Sequence, residues 1–135
     1  MVMIMQKCVV LVEAWQLQCC GSPFKIGDTV EWSVVKYSGV PVESGTTVDF
    51  FYENHAPAHD EPILRLTATV EGIRAVFFRY GPCKSERNPN IDILAVIDEK
   101  SLQVEVADGR DEDVGEYRLG EYIVMLTNCT TASIE

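Results

Sequence analysis

The spacing of apolar residues constrains this chain most: they recur at every second position rather than every third or fourth. That period places alternate side chains on opposite faces of an extended strand. Val30, Trp32 and Val34 share one face of such a run, and Thr29, Glu31 and Ser33 share the other. The phase slips at Val34-Val35, where a bulge restores it. Leu64, Leu66, Ala68 and Val70 alternate with Arg65, Thr67, Thr69 and Glu71, until Gly72 breaks or kinks the strand. Further runs cover Ile73 to Tyr80, Ile91 to Ile97, Leu102 to Val106 and Tyr122 to Leu126. Cys8 to Val12 is wholly apolar and Val-rich, which predicts a buried strand.

Turn residues separate these runs. Gly21-Ser22-Pro23, Gly27-Asp28 and the polar stretch Ser85 to Asn90 punctuate the chain. Asp98 to Ser101 predicts a hairpin turn, and Asp108 to Asp113 an acidic turn around Gly109. Short strands at this spacing predict a mainly β, small barrel-like domain, SH3-like or OB-like. In Ile26 to Trp32, glycine permits the turn, Asp28 caps it, and Val30 and Trp32 point inward. Thr46 to His55 departs from the pattern and predicts one short helix, capped by Thr46 or Thr47 and ended by Pro57; a strand is the alternative. Residues 127–135 read as a frayed tail. The whole of 1–135 fits one domain, with about two thirds of its unfolded surface buried.

Charge narrows the partners. Twenty-one acids against 11 bases leave a net charge of −10. No cluster of Lys and Arg is present to displace counterions from a phosphate backbone, so nucleic acid is excluded as an expected partner. An anionic membrane surface is disfavoured for the same reason. The apolar start, Met1 to Met5, is interrupted by Gln6 and Lys7, so neither a signal peptide nor a membrane span is expected. The five cysteines are Cys8, Cys19, Cys20, Cys83 and Cys129. Their number is odd and one pair is adjacent, which argues against a disulfide framework and for a reducing cytoplasm.

The most distinctive text is Trp15-Gln16-Leu17-Gln18-Cys19-Cys20-Gly21-Ser22-Pro23-Phe24, followed by Gly27, Asp28, Val30 and Trp32. It resembles the opening of a family of short bacterial proteins of unknown function, whose N-termini read Trp-x-x-Gln-Cys-Cys-Gly-x-Pro-Phe and then Gly-Asp-x-Val-x-Trp. The match covers roughly the first quarter of the chain. Glu53-Asn54-His55 and Gly72 to Ala75 are looser echoes, and His59 stands four residues from His55 rather than beside it. The resemblance implies a shared fold and a bacterial setting, and no activity.

Cys19, Cys20, His55 and His59 supply thiolate and imidazole ligands of the kind zinc takes. Their spacing is not that of a zinc ribbon, and Pro57 interrupts the histidine pair. Read without a metal, Cys19 and Cys20 are small buried hydrophobes beside Trp15 and Phe24. Lys25 is the only base near enough in sequence to activate a thiol. A Cys19–His55 dyad with Glu53 has the residue types for hydrolysis, but no nucleophile elbow, phosphate loop or dinucleotide fingerprint is present. Asp111 to Asp113 lack EF-hand spacing. Trp15, Trp32, Phe50, Phe51, Tyr52, Phe77, Phe78 and Tyr80 can line a cleft, although such residues are more often core. Phe77 and Phe78 point to opposite sides of a strand, so one marks a contact surface unless both sides are covered.

The sequence therefore leads to a non-enzymatic cytoplasmic binding or protein-interaction module centred on Trp15, Gln18, Cys19, Cys20 and Phe24, with no cofactor. Its partner would be a protein or small molecule, or a second copy in a homodimer. The alternative is a zinc-binding domain using Cys19, Cys20, His55 and His59.

Overall fold

A computed structural model describes residues 2–19, 21–37, 46–53 and 62–133. The strands are β1 (Val2–Glu13), β2 (Phe24–Lys25), β3 (Thr29–Lys36), β4 (Phe50–Tyr52), β5 (Ile63–Lys84), β6 (Asp92–Val104), β7 (Val106–Ala107) and β8 (Arg118–Ser133). One short helix, α1, spans Ala14–Cys19. No helix among the described residues is long and apolar enough to cross a membrane.

The sequence leaves the strand order open between SH3-like and OB-like arrangements. The main sheet runs β3-β4-β1-β8-β5-β6, and β3 also pairs with β5. That extra pairing closes β3, β4, β1, β8 and β5 into a five-strand barrel and leaves β6 outside the ring. Most neighbours are antiparallel, but β4 lies parallel to β1 through Val10↔Phe50 and Leu11↔Phe51.

The interior follows from the alternation. Val30, Trp32, Val34, Leu66, Ala68, Val70, Ile73, Ala75 and Phe77 point inward and meet Val10, Val12, Tyr122, Val124 and Leu126. Cys8 to Val12 lacks polar alternation because its outer face is covered as well. There Leu11, Val48, Val76 and Ile123 form a second buried cluster, joined by the partly buried Phe51 and Phe78. Phe77 and Phe78 do face opposite ways, yet both are packed, so Phe78 is not a contact surface.

Several local expectations change. Val34-Val35 needs no bulge: Val34↔Leu64 and Val35↔Ile63 keep register, and both valines are buried. Thr46 to Asp49 is not helical and Phe50–Tyr52 is a strand, because parallel pairing with β1 outcompetes a local helix (residues 54 and 55 lie outside the described set). Asp98 to Ser101 is not a turn. It continues β6 opposite Val76 to Arg79, and the reversal occurs at Ser85 to Ile91. Residues 127–133 are not a frayed tail but the end of β8, held between β1 and β5. Gly72 does not end its strand: β5 continues through a register shift at Val70/Gly72.

Candidate functional site

The Trp15–Phe24 segment folds against one end of the barrel. β1 ends at Glu13 and the chain turns directly into α1, whose buried face is Ala14, Gln16 and Leu17. Gly109, at φ +75°, brings its backbone against this helix: a Cβ there would lie 2.8 Å from the Ala14 carbonyl oxygen and 3.1 Å from Leu17 Cβ. Gln18 Nε2 donates to the Gly109 carbonyl, and the Gly109 amide donates to the Tyr122 hydroxyl at 3.1 Å. Gln18 thus clamps the helix to the 108–110 loop. Gln16 is fully buried, its amide donating to the Tyr52 carbonyl at 3.0 Å.

The segment's other residues separate. Trp15 is 46% exposed on α1, whereas Phe24 is buried. Cys19 ends α1 and is exposed, which corrects its reading as a buried hydrophobe. Cys20, His55 and His59 lie outside the described residues. Among the described residues no group of three or more His, Cys, Asp or Glu side chains is placed to hold a metal ion.

Phe24 leads to a pocket. Its ring meets Trp32 edge-on at 4.9 Å, and Trp32 meets Tyr52 edge-on at 5.3 Å. This aromatic chain floors a pocket of about 340 Å³ whose rim includes Ser22, Asp28 and Glu31. The opening follows from an incomplete seam. β3 pairs with β5 from Thr29 to Val35, but with β4 only from Val34 to Lys36. One more hydrogen bond, Glu53 N to the Ser33 carbonyl at 3.0 Å, extends that seam. Gly21 sits at the pocket wall, where a Cβ would lie 2.8 Å from the Tyr52 hydroxyl. Asp28 is set by its own turn: Gly27 has φ +94°, and Asp28 Oδ2 accepts from the Lys25 amide at 3.0 Å. Glu31 pairs with Arg65 at 3.3 Å.

Sequence reasoning named Phe24 as a candidate binding residue and Trp32 and Tyr52 among aromatics able to line a cleft; all three line this pocket, together with Asp28 and Glu31, which it did not name as candidate site residues. Their signal was the polar face of the β3 alternation, which reads as ordinary solvent exposure.

Two other cysteines are buried together. Cys8 and Cys129 bring their Sγ atoms within 2.8 Å inside the barrel. Burial, then the contact with Cys129, pushes the Cys8 thiol well above its ordinary range, and burial raises Cys129 too. Both shifts favour the protonated thiol over the reactive thiolate.

A family model for a family of unknown function, DUF6578, matches residues 6–128. The chain belongs to that family. The DUF6578 match covers α1, the pocket and at least part of every stave of the barrel. No curated protein and no solved structure matches the chain significantly.

Proposed function

We propose that this protein is a non-enzymatic binding module of a reducing cytoplasm, and that its pocket takes a small polar ligand bearing a positive charge. The aromatic-floored opening beside Thr29 to Trp32 carries the reading. A concave site over buried aromatics with a few converging polar groups is the usual form of a small-molecule site. Asp28 on the rim favours a cation, Glu31 beside it being paired with Arg65, and a net charge of −10 raises the local concentration of cations around the whole molecule. The odd cysteine count and the adjacent pair Cys19-Cys20 fit a reducing compartment.

The test is a titration of isotope-labelled protein with butylammonium, tetramethylammonium and arginine, and with butyrate as the anionic control. The expected result is saturable amide shifts confined to residues 21–32 and Tyr52, for the cations alone. Shifts scattered over the acidic surface, or a response to butyrate of the same size, would sink the reading.

A further inference from the structure

Residues 79–97 leave the barrel as an arm. β8 accompanies β5 only as far as Phe78↔Arg118. Beyond that point β5 pairs with β6 alone, from Tyr80↔Val96 to Lys84↔Asp92. Ile97 is the extra residue of a bulge where the arm begins, since Arg79 faces Asp98 and Tyr80 faces Val96. A two-stranded hairpin standing alone is marginal in water.

This hairpin is apolar on both faces. Tyr80, Leu94 and Val96 share one face, at 48%, 77% and 45% exposure. Ile93 lies on the other, where Ile97 also packs over Gly81. The run Ile93-Leu94-Ala95-Val96-Ile97 is uninterrupted by charge or proline, and it sits on an edge strand. Edge strands of isolated proteins are normally blunted by inward charges, prolines, shortness or bulges; this one carries no charge or proline over five residues and has its bulge only at Ile97, at the base of the arm.

We propose that the arm is a dimerisation element, in which two copies of this chain pair β6 with β6, antiparallel, across a two-fold axis. An antiparallel edge is self-complementary under such an axis, so the same backbone groups and side chains serve both copies. Charge permits pairing here. Copies carrying −10 each repel, but on the arm Lys84 and Arg87 offset Glu86 and Asp92. Exposed apolar side chains flank the seam on both faces, Leu94 and Val96 on one and Ile93 on the other, so pairing the edges covers part of each beside the strand backbone. The arm and the pocket use different residues, so a dimer with an empty pocket, or a ligand-binding monomer, separates the two proposals.

Sedimentation equilibrium of the full chain, from about 1 to 100 µM, reads the mass directly. The expected result is a species of twice 15.1 kDa. Leu94→Glu and Val96→Lys change exposed side chains and are each expected to weaken association at least about tenfold, with unchanged far-UV circular dichroism. A parent that stays monomeric throughout overturns the proposal, as does a dimer that both variants leave equally tight. Hydrogen exchange on the unaltered chain keeps the test open should a variant misfold. Amides of residues 93–97 are expected to become protected as concentration rises, and exchange independent of concentration overturns the proposal.

Discussion

β5 passes through two environments within one strand. From Leu66 to Phe77 it is a barrel stave, and Leu66, Ala68, Val70, Ile73, Ala75 and Phe77 are at most 2% exposed. From Arg79 to Lys84 it belongs to the arm, and Tyr80 is 48% exposed. Both halves are extended and rich in residues that favour strands. What differs is the number of neighbours: β3 or β6 together with β8 in the barrel, and β6 alone in the arm. Local preference sets the extended backbone, and topology decides what the side chains meet.

The cysteines test that contrast most sharply. Cys83 lies on the arm and is exposed, while Cys8 and Cys129 are enclosed by the barrel with raised thiol pKa. A soluble disulfide reagent is expected to label Cys83 and Cys19 readily. Cys8 and Cys129 should react at least about a thousandfold more slowly, at the rate of global opening. Comparable rates, read by peptide mass spectrometry, would show that the barrel opens locally. Truncation draws the same line. Leu66→Ala is expected to cost about 3 kcal/mol in urea unfolding. Leu94→Ala, at a concentration low enough to keep the chain monomeric, should stay within about 0.5 kcal/mol. A large Leu94 effect in the monomer would mean that the arm folds back on its own barrel.

Two tyrosines extend the comparison to hydrogen bonds. The buried Tyr122 hydroxyl donates to Asp111 and accepts from the Gly109 amide. Partly buried Tyr117 donates to Asp98 at 2.5 Å, with the Lys100 ammonium 4.5 Å from its ring centre. Tyr122→Phe strands the Gly109 amide and is expected to cost about 1–3 kcal/mol, whereas Tyr117→Phe should change stability by less than about 0.5 kcal/mol. Equal losses in thermal unfolding would dissolve the distinction.

The smallest effect is electrostatic. Glu121 lies on the outer wall, and burial, then Glu99 and Glu13, raises its carboxyl from 4.5 to about 7. Between those values the folded chain holds a proton that the unfolded chain has released, so this group's contribution to stability falls as pH rises from about 4.5 to 7. Glu121→Gln is therefore expected to stabilise by about 1 kcal/mol at about pH 8, after allowance for partial solvation, and hardly at all near pH 4.5. Asp98 at the base of the arm is shifted down by its Tyr117 hydrogen bond and has the opposite sign. Its contribution is present above the ordinary Asp range and lost as pH falls below it. Stability of Glu121→Gln and Asp98→Asn against the parent, followed from about pH 2 to 8, checks the two signs.

Much of the barrel was legible because period-two alternation is a direct consequence of having one covered face. Val30 and Trp32 point inward as the pattern requires, and Gly27 and Asp28 make the turn that precedes them. What escaped depended on partners far away in sequence. α1 is too short to show a helical period and is held by Gly109 and Tyr52. β4 is three residues long and owes its form to β1 and β3. Polar Asp98 to Ser101 resembles a turn locally but is carried through as strand by its pairing with Val76 to Arg79. Of the residues that line the pocket, Phe24 was singled out by its motif. The pocket itself was not, since it exists only where the β3–β4 seam stops short.

The place of β8 between β1 and β5 also bears on how the chain acquires its shape during synthesis. Val2 pairs with Ala132, so the earliest and latest described strands are direct neighbours. A nascent chain can form the β5–β6 hairpin early, but the long β1–β8 pairing must wait until residues 118–133 have left the ribosome. Contacts so distant in sequence fold slowly. Throughout that delay the adhesive run at residues 93–97 is already made, so an incomplete barrel would meet other copies through its arm before its own interior is sealed.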